Sequence, residues 1–453
     1  MDWFQWPRTE RKLWHYMKRL KVLTSAFACA PGGAAEKFGG GELILGWNVV
    51  QQLARFHDVW VLTHSHHRDA IEQGLRETPS PHLHFYYLAL PGLMERLKSV
   101  QGGIQFYAYL WQMRAYFVAR RLHRQLGFDV FHHVTYANDW MASYMGALLP
   151  VPYLRGPGGG AHRTPLAFRR EYPFRARLWE RFRSFGQWVL RHDPIFVLGQ
   201  RRARVILVCN REAAEAVSPR LKSKVQLFPV NGISAEDLLI FSGANGDRSS
   251  VTAPGKDRQG VSDAAFQVLS AGKLLSLKGY ALAIRAFEPF AKHHADVKFT
   301  IVGDGPERPR LESLIRDLGL EKQVQLERWT PRPELLALMR QCDMFLFPSL
   351  RDGGGAVVVE AMAAGKPVVC LDLAGPGLHV TEDCGIKIPP HSPDETIGLM
   401  AQALERLYGD RELCLKMGQA ARRRAQQIYN WDHLGERLLK IYEEVLGVPS
   451  HEA

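Results

Sequence analysis

The stretch 348–369 reads Pro-Ser-Leu-Arg-Asp-Gly-Gly-Gly-Ala-Val-Val-Val-Glu-Ala-Met-Ala-Ala-Gly-Lys-Pro-Val-Val. It runs from a strand end through Asp352 and three glycines into a helix carrying Glu360, then past Gly365 into another strand. Glycines at a helix N-terminus let a ligand approach bare backbone N–H groups, and the helix dipole favours negative or hydroxyl-rich groups there. Asp352 and Glu360 are carboxylates that can accept hydrogen bonds from vicinal hydroxyls, which suits a sugar ring and a ribose at once. Upstream, Ala-Gly-Lys-Leu-Leu-Ser-Leu-Lys-Gly over 271–279 sets Lys273 and Lys278 just past a strand end. Two ammonium groups at a strand–helix turn form a diphosphate clamp, able to stabilise charge as a nucleoside diphosphate leaves. Gly303 and Gly305, in Val-Gly-Asp-Gly-Pro over 302–306, make a tight turn suited to packing under a nucleotide. Singly, each feature is most often an ordinary turn or a solvated charge. Their order and spacing carry the reading.

Such groups have to be held by strand–loop–helix units, and the sequence supplies two series of them. The first has strands at 21–26, 59–63, 129–134, 151–154, 204–209 and 225–229, with a helix over 43–56. The second has strands at 266–271, 297–302, 324–326, 344–348 and 367–371, with helices over 280–293, 307–318, 334–340 and 359–364. Alternation of this kind predicts an α/β fold with two doubly wound, Rossmann-like parallel sheets, and ligands in a cleft facing the carboxyl ends of the strands. Between the series, 242–263 is rich in turn formers and poor in apolar groups, the composition of a flexible connection. The organisation expected is a basic, aromatic extension at 1–20, an acceptor-side domain at 21–240, a linker at 241–264, a nucleotide-sugar domain at 265–430 and a C-terminal helix at 431–453.

The motifs of 265–375 closely resemble those of the retaining family 4 glycosyltransferases of the GT-B fold, and the resemblance continues more loosely over 21–235. That family carries a Gly-Arg/Lys…Lys-Gly pair, then Val-Gly-x-Gly-Pro, then Pro-Ser…Glu, seven residues, and Glu-Ala-Met-Ala-x-Gly-x-Pro-Val. Carried over, the resemblance implies that Lys273 and Lys278 hold the donor diphosphate and that Glu360 binds the ribose. Asp352 would contact the sugar's ring hydroxyls, and the amides of Gly354 and Gly355 would serve the sugar or phosphate. Asp352 departs from the pattern, being one methylene shorter than the usual Glu, and 371–379 lacks an acidic residue often found there. The resemblance also places Gly40 and Gly41, in Gly-Gly-Gly-Glu over 39–42, beside the diphosphate, and a histidine of the pair His132 and His133 near the transferred sugar. Period-two alternation sends these two rings to opposite faces, with His133 preferred as the inward one. The Tyr-Asn-Trp at 429–431 and the helix to 445 resemble the family's C-terminal helix, which crosses back to the first domain.

The reaction implied is retaining, metal-independent transfer of a hexosyl unit from a UDP- or GDP-sugar to a hydroxyl acceptor, a saccharide or lipid-linked saccharide, in polysaccharide or glycolipid synthesis. No cofactor beyond the nucleotide-sugar co-substrate is expected. A sugar-nucleotide epimerase or hydrolase would need an acid–base pair at the sugar, and none beyond the histidines stands out. A non-catalytic nucleotide-sugar-binding subunit is the other alternative, motivated by Asp352.

Composition bounds the address. The chain's 453 residues predict two or three domains. Its six cysteines are scattered with no C-x-x-C, so neither a zinc site nor a disulfide framework is indicated. No apolar run reaches the roughly 18 residues needed to cross a bilayer, and no signal-peptide core follows the N-terminus, so a cytoplasmic protein is expected. Net charge is +12, and twelve arginines between Arg155 and Arg204 face only Glu171, Glu180 and Asp193. Aromatics interleave with them, a composition that fits a solvated helix face, a phosphate-bearing acceptor, or an anionic membrane surface with a peripheral position on the inner face of the cytoplasmic membrane, rather than nucleic acid.

Overall fold

The computed structural model describes residues 19–32, 41–99, 102–242 and 265–447. The expected extension at 1–20, apart from Arg19 and Leu20, lies outside them, as do nearly all of the 241–264 connection and Gly40. The chain divides into two compact units. One takes 1–162, 179–231 and 431–453; the other takes 163–178 and 232–430. The division is not a single cut near 240. Phe168 and Tyr172, from the 163–178 segment, are buried in the hydrophobic core of the second unit.

The first unit is built on β1 (Lys21–Ser25), β2 (Asp58–His64), β3 (Leu83–Leu88), β4 (Val130–His133), β5 (Tyr153–Gly158), β6 (Val205–Val208) and β7 (Val225–Leu227), in the spatial order β3-β2-β1-β4-β5-β6-β7. The second holds β8 (Phe266–Ala271), β9 (Val297–Val302), β10 (Val324–Glu327), β11 (Met344–Phe347), β12 (Val368–Leu371) and β13 (Gly385–Ile388), in the order β10-β9-β8-β11-β12-β13. All neighbours are parallel. Helices cover both faces of such sheets, so β6, β11 and β12 are apolar runs without alternation; these strands and β4, Val-Phe-His-His, are buried at every residue. A buried Met-Phe-Leu-Phe strand such as β11 contributes about 1.5–3 kcal/mol per side chain at the upper bound.

In each sheet the order reverses once, between β1 and β4 and between β8 and β11. Connections leave in opposite directions there, which opens a crevice beyond the carboxyl ends of those two strands. The helix Gly41–Ala54 follows β1, burying Leu43, Leu45, Val49, Val50 and Leu53. The helix Trp431–Leu446 packs in the same unit and buries Trp431, Leu434, Leu438 and Tyr442. Elements without a counterpart in the sequence reading include β3, β13 and the helices Arg68–Glu77, Gly103–Leu126, Pro393–Gly409 and Arg411–Ile428. Among the described residues no helix is long and apolar enough to cross a membrane.

Candidate functional site

In the second unit the loops after β8 and β11 are stitched together before any side chain is considered. Leu350 N–H donates to Leu277 O at 2.9 Å. Gly279 turns left-handed (φ 69°) into the helix Tyr280–His293, and a Cβ there would stand 2.2 Å from Pro348 O, so only glycine lets the two loops touch. This contact carries Lys278 to Asp352. Its ammonium bonds Asp352 Oδ2 and lies 5.2 Å over the Phe347 ring, with both polar side chains mostly covered. The other carboxylate oxygen, Oδ1, accepts from Gly355 N–H at 2.8 Å and Gly354 N–H at 3.3 Å. The amides expected to serve the sugar or phosphate are thus turned onto Asp352, immediately before the helix Ala356–Ala363.

Lys273 stands on the same β8 loop, exposed, without a side-chain partner among the described residues. Gly303 and Gly305 brace that loop from below. A Cβ on Gly303 would lie 2.0 Å from Gly272 O and one on Gly305 2.4 Å from Leu274 O, while Leu274 N–H donates to Asp304 O at 2.9 Å.

The helix Ala356–Ala363 buries Val358, Val359, Ala361 and Met362 and turns Glu360 toward Arg332. Arg332 bonds Glu360 Oε1 through Nε at 3.1 Å and through a terminal nitrogen at 3.0 Å. Its fork also grips both oxygens of Asp237, at 2.6 and 3.0 Å. Burial raises the proton affinity of Glu360 against the opposing charge of Arg332. Burial pushes Asp237 the same way, but the hydrogen bonds and charge of Arg332 outweigh it and hold that carboxyl below its usual range. The guanidinium, desolvated yet held by two carboxylates, stays firmly protonated.

Behind the loop, buried His379 is pushed down to about 4 by desolvation and is neutral at physiological pH. Gly354 O can only accept, so Nε2–H donates to it at 2.5 Å and Nδ1 accepts from Tyr429 O–H at 2.8 Å. Tyr280 is also buried, and its hydroxyl has no hydrogen-bond partner among the described residues. Burial and the charge of Asp352 raise that phenol. Arg332, Asp237, His379 and Tyr280 escaped the sequence reading. Only Tyr280, directly after the Lys-Gly pair, had a motif to flag it.

In the first unit Gly41 opens its helix, and Glu42 accepts from Tyr136 N–H at 3.1 Å. Tyr136 is left-handed (φ 55°), just beyond β4. Of the histidine pair expected near the transferred sugar, both rings are 0% exposed, because β4 is central and covered on both faces. His132, pushed down to about 4 by burial, donates from Nε2 to Gly156 O at 2.6 Å and accepts at Nδ1 from Tyr442 O–H at 2.8 Å. Both its nitrogens are engaged, so it acts as a strut between strand and C-terminal helix. Among the described residues neither ring nitrogen of His133 has a hydrogen-bond partner, and burial, then Arg155, push it down to about 3.

Residues 256–424 match the family described as glycosyl transferases group 1. The alpha-D-kanosaminyltransferase of Streptomyces kanamyceticus is 26% identical over 79% of this chain and 87% of its own. A D-inositol 3-phosphate glycosyltransferase of Paenarthrobacter aurescens is 28% identical over 52% of this chain and 64% of its own. Anabaena Alr3699/HepE in complex with UDP is similar in fold, with a TM-score of 0.56 at 17% identity over 94% of this chain and all of that one. The same protein with UDP-glucose gives a TM-score of 0.56 at 16% identity.

Proposed function

We propose that the chain is a group 1 glycosyltransferase of GT-B fold, as the match over residues 256–424 and the similarity in fold to HepE support, and that it moves a hexosyl unit from a UDP- or GDP-sugar to a hydroxyl acceptor with retention at the anomeric carbon. The observation that carries this reading is the Lys278–Asp352 pair at the sheet's switch point, with exposed Lys273 on the same loop and the Glu360–Arg332–Asp237 network beside the same helix. Three carboxylates, two ammonium groups and a guanidinium gather there on one unit. UDP and UDP-glucose in the HepE complexes support a nucleotide-sugar donor.

On this reading the diphosphate takes the Lys278 ammonium from Asp352 and is met from the other side by Lys273. Asp352, released, accepts from the sugar's ring hydroxyls, and Gly354 and Gly355 turn their amides to the same group. Glu360, held by Arg332, accepts from the ribose hydroxyls. The cationic groups do the work a metal ion does elsewhere, stabilising negative charge that grows on the leaving oxygen. The acceptor's proton passes to the departing phosphate on the same face. The acceptor we assign is a saccharide or lipid-linked saccharide in polysaccharide or glycolipid synthesis. Gly40 and Gly41 remain candidates beside the diphosphate, and His133 or His132 near the transferred sugar.

A thermal-shift screen with UDP-, GDP- and ADP-sugars, followed by product analysis on lipid-linked acceptors, tests the proposal. A stabilising UDP- or GDP-sugar and an α- or β-linkage matching the donor's anomer are expected. No shift with any nucleotide sugar, or donor consumed without an acceptor, would overturn it.

A further inference from the structure

The helix Phe174–Arg191 is built inside out. Its outward side chains include Phe174 (70% exposed), Leu178, Trp179, Phe182, Phe185 (65%), Trp188 and Val189. Positions 174, 178, 182, 185 and 188 recur at intervals of three and four, the spacing of one helical face. The covered positions are polar: Glu180 is 5% and Gln187 4% exposed, and Arg183 and Gln187 reach Gly160 O at 3.4 Å each. A surface helix ordinarily does the reverse, so an exposed row of large aromatic groups calls for an occupant.

Charge decides which occupant. Arg175, Arg177 and Arg181 are exposed along the helix, and its single acid, Glu180, faces inward. The outward face is therefore aromatic and cationic, with no anionic group to pair with its own arginines. A second copy of this face would oppose arginine to arginine. An anionic lipid surface instead complements both features: aromatic rings enter the headgroup–acyl boundary while guanidinium groups stay among phosphates.

We propose that the helix Phe174–Arg191 lies in the plane of an anionic membrane, with Phe182, Phe185 and Trp188 inserted and Arg175, Arg177 and Arg181 on the lipid phosphates. This gives a residue-level form to the membrane surface expected from composition, and it stands independently of the donor chemistry. Each arginine near the surface multiplies partitioning by about fivefold at low salt.

The test is co-sedimentation of the full chain with phosphatidylcholine vesicles, with and without about 30% phosphatidylglycerol. Binding to the anionic vesicles only, weakened by salt, is expected. The F182S/F185S/W188S variant should lose at least about tenfold in partitioning, and R175E/R177E/R181E should lose the preference for anionic lipid. All six side chains point outward, so unchanged circular dichroism is expected in both. Failure of the wild type to bind, or unchanged binding by either variant, would overturn the proposal. So would a wild-type dimer in sedimentation equilibrium that the aromatic variant dissociates, since a second copy would then be the occupant. Nucleotide-sugar shifts measured on the same variants keep the two proposals separable.

Discussion

Replacing Lys278 by Ala separates a donor clamp from a structural ion pair. In the free protein the Lys278 and Asp352 side chains are 17% and 19% exposed, and Asp352 retains two backbone amides when the ammonium is gone. The carboxylate is not orphaned, so the loss of stability is about 1 kcal/mol, or about 2–4 °C for a unit of this size. On the proposed reading the ammonium faces diphosphate in the donor complex. At about 4 Å and an effective dielectric of about 20, the attraction is near 4 kcal/mol. Sharing with Lys273 leaves about 3–4 kcal/mol, a fall of about 10²–10³ in kcat/KM. Nucleotide release assayed with the donor found by thermal shift, alongside a melting curve, reads both quantities. Lys278→Ala with Asp352→Asn discriminates further. If the lysine serves only to neutralise Asp352, the double variant regains activity; if it holds the diphosphate, activity stays low. Turnover within about fivefold of wild type, or rescue in the double variant, would refute the assigned role.

Two other substitutions probe the groups around the site. Arg332→Met leaves Glu360 and Asp237 without their shared cation, and a loss of about 1–3 kcal/mol with a raised donor KM is expected from melting and kinetics. Because Arg332 holds the Asp237 carboxyl below its ordinary value, that part of the wild-type stability is complete above about pH 4 and is lost as pH falls through the folded value; the variant should lack this acid-side slope. His132→Phe strands Gly156 O and the Tyr442 hydroxyl, so about 2–4 kcal/mol should be lost while turnover per folded molecule stays within about threefold. A large fall in turnover at unchanged stability would make His132 catalytic after all.

The sheets were legible because burial on both faces writes itself as apolar runs: β8 and β9 fall at their expected residues, and the helix Tyr280–His293 follows on schedule. β3 escaped because its Leu-His-Phe-Tyr-Tyr-Leu run mixes polar and aromatic groups at the sheet's edge. The glycine-rich turns and the strand-end lysines stood out for a related reason. A close backbone approach such as Gly279 against Pro348 O admits one residue type, so the constraint leaves a mark in the sequence.

What could not be read is the set of partners. Arg332 reaches Glu360 from 28 residues away and Asp237 from 95, distances over which no local period or spacing exists. His132 and His379 show the same limit in a sharper form. Each is a buried neutral imidazole that donates to a glycine carbonyl and accepts from a tyrosine of the C-terminal stretch, Tyr442 in one unit and Tyr429 in the other. One was taken for a candidate catalyst and the other passed over, because a histidine at a strand end reads alike whether it meets a substrate or a hydroxyl some 310 positions away. Local sequence fixes the elements and the glycines that let them touch. The role of a titratable side chain is fixed by what the topology brings against it, and in this chain that contact makes a strand-end histidine part of the frame.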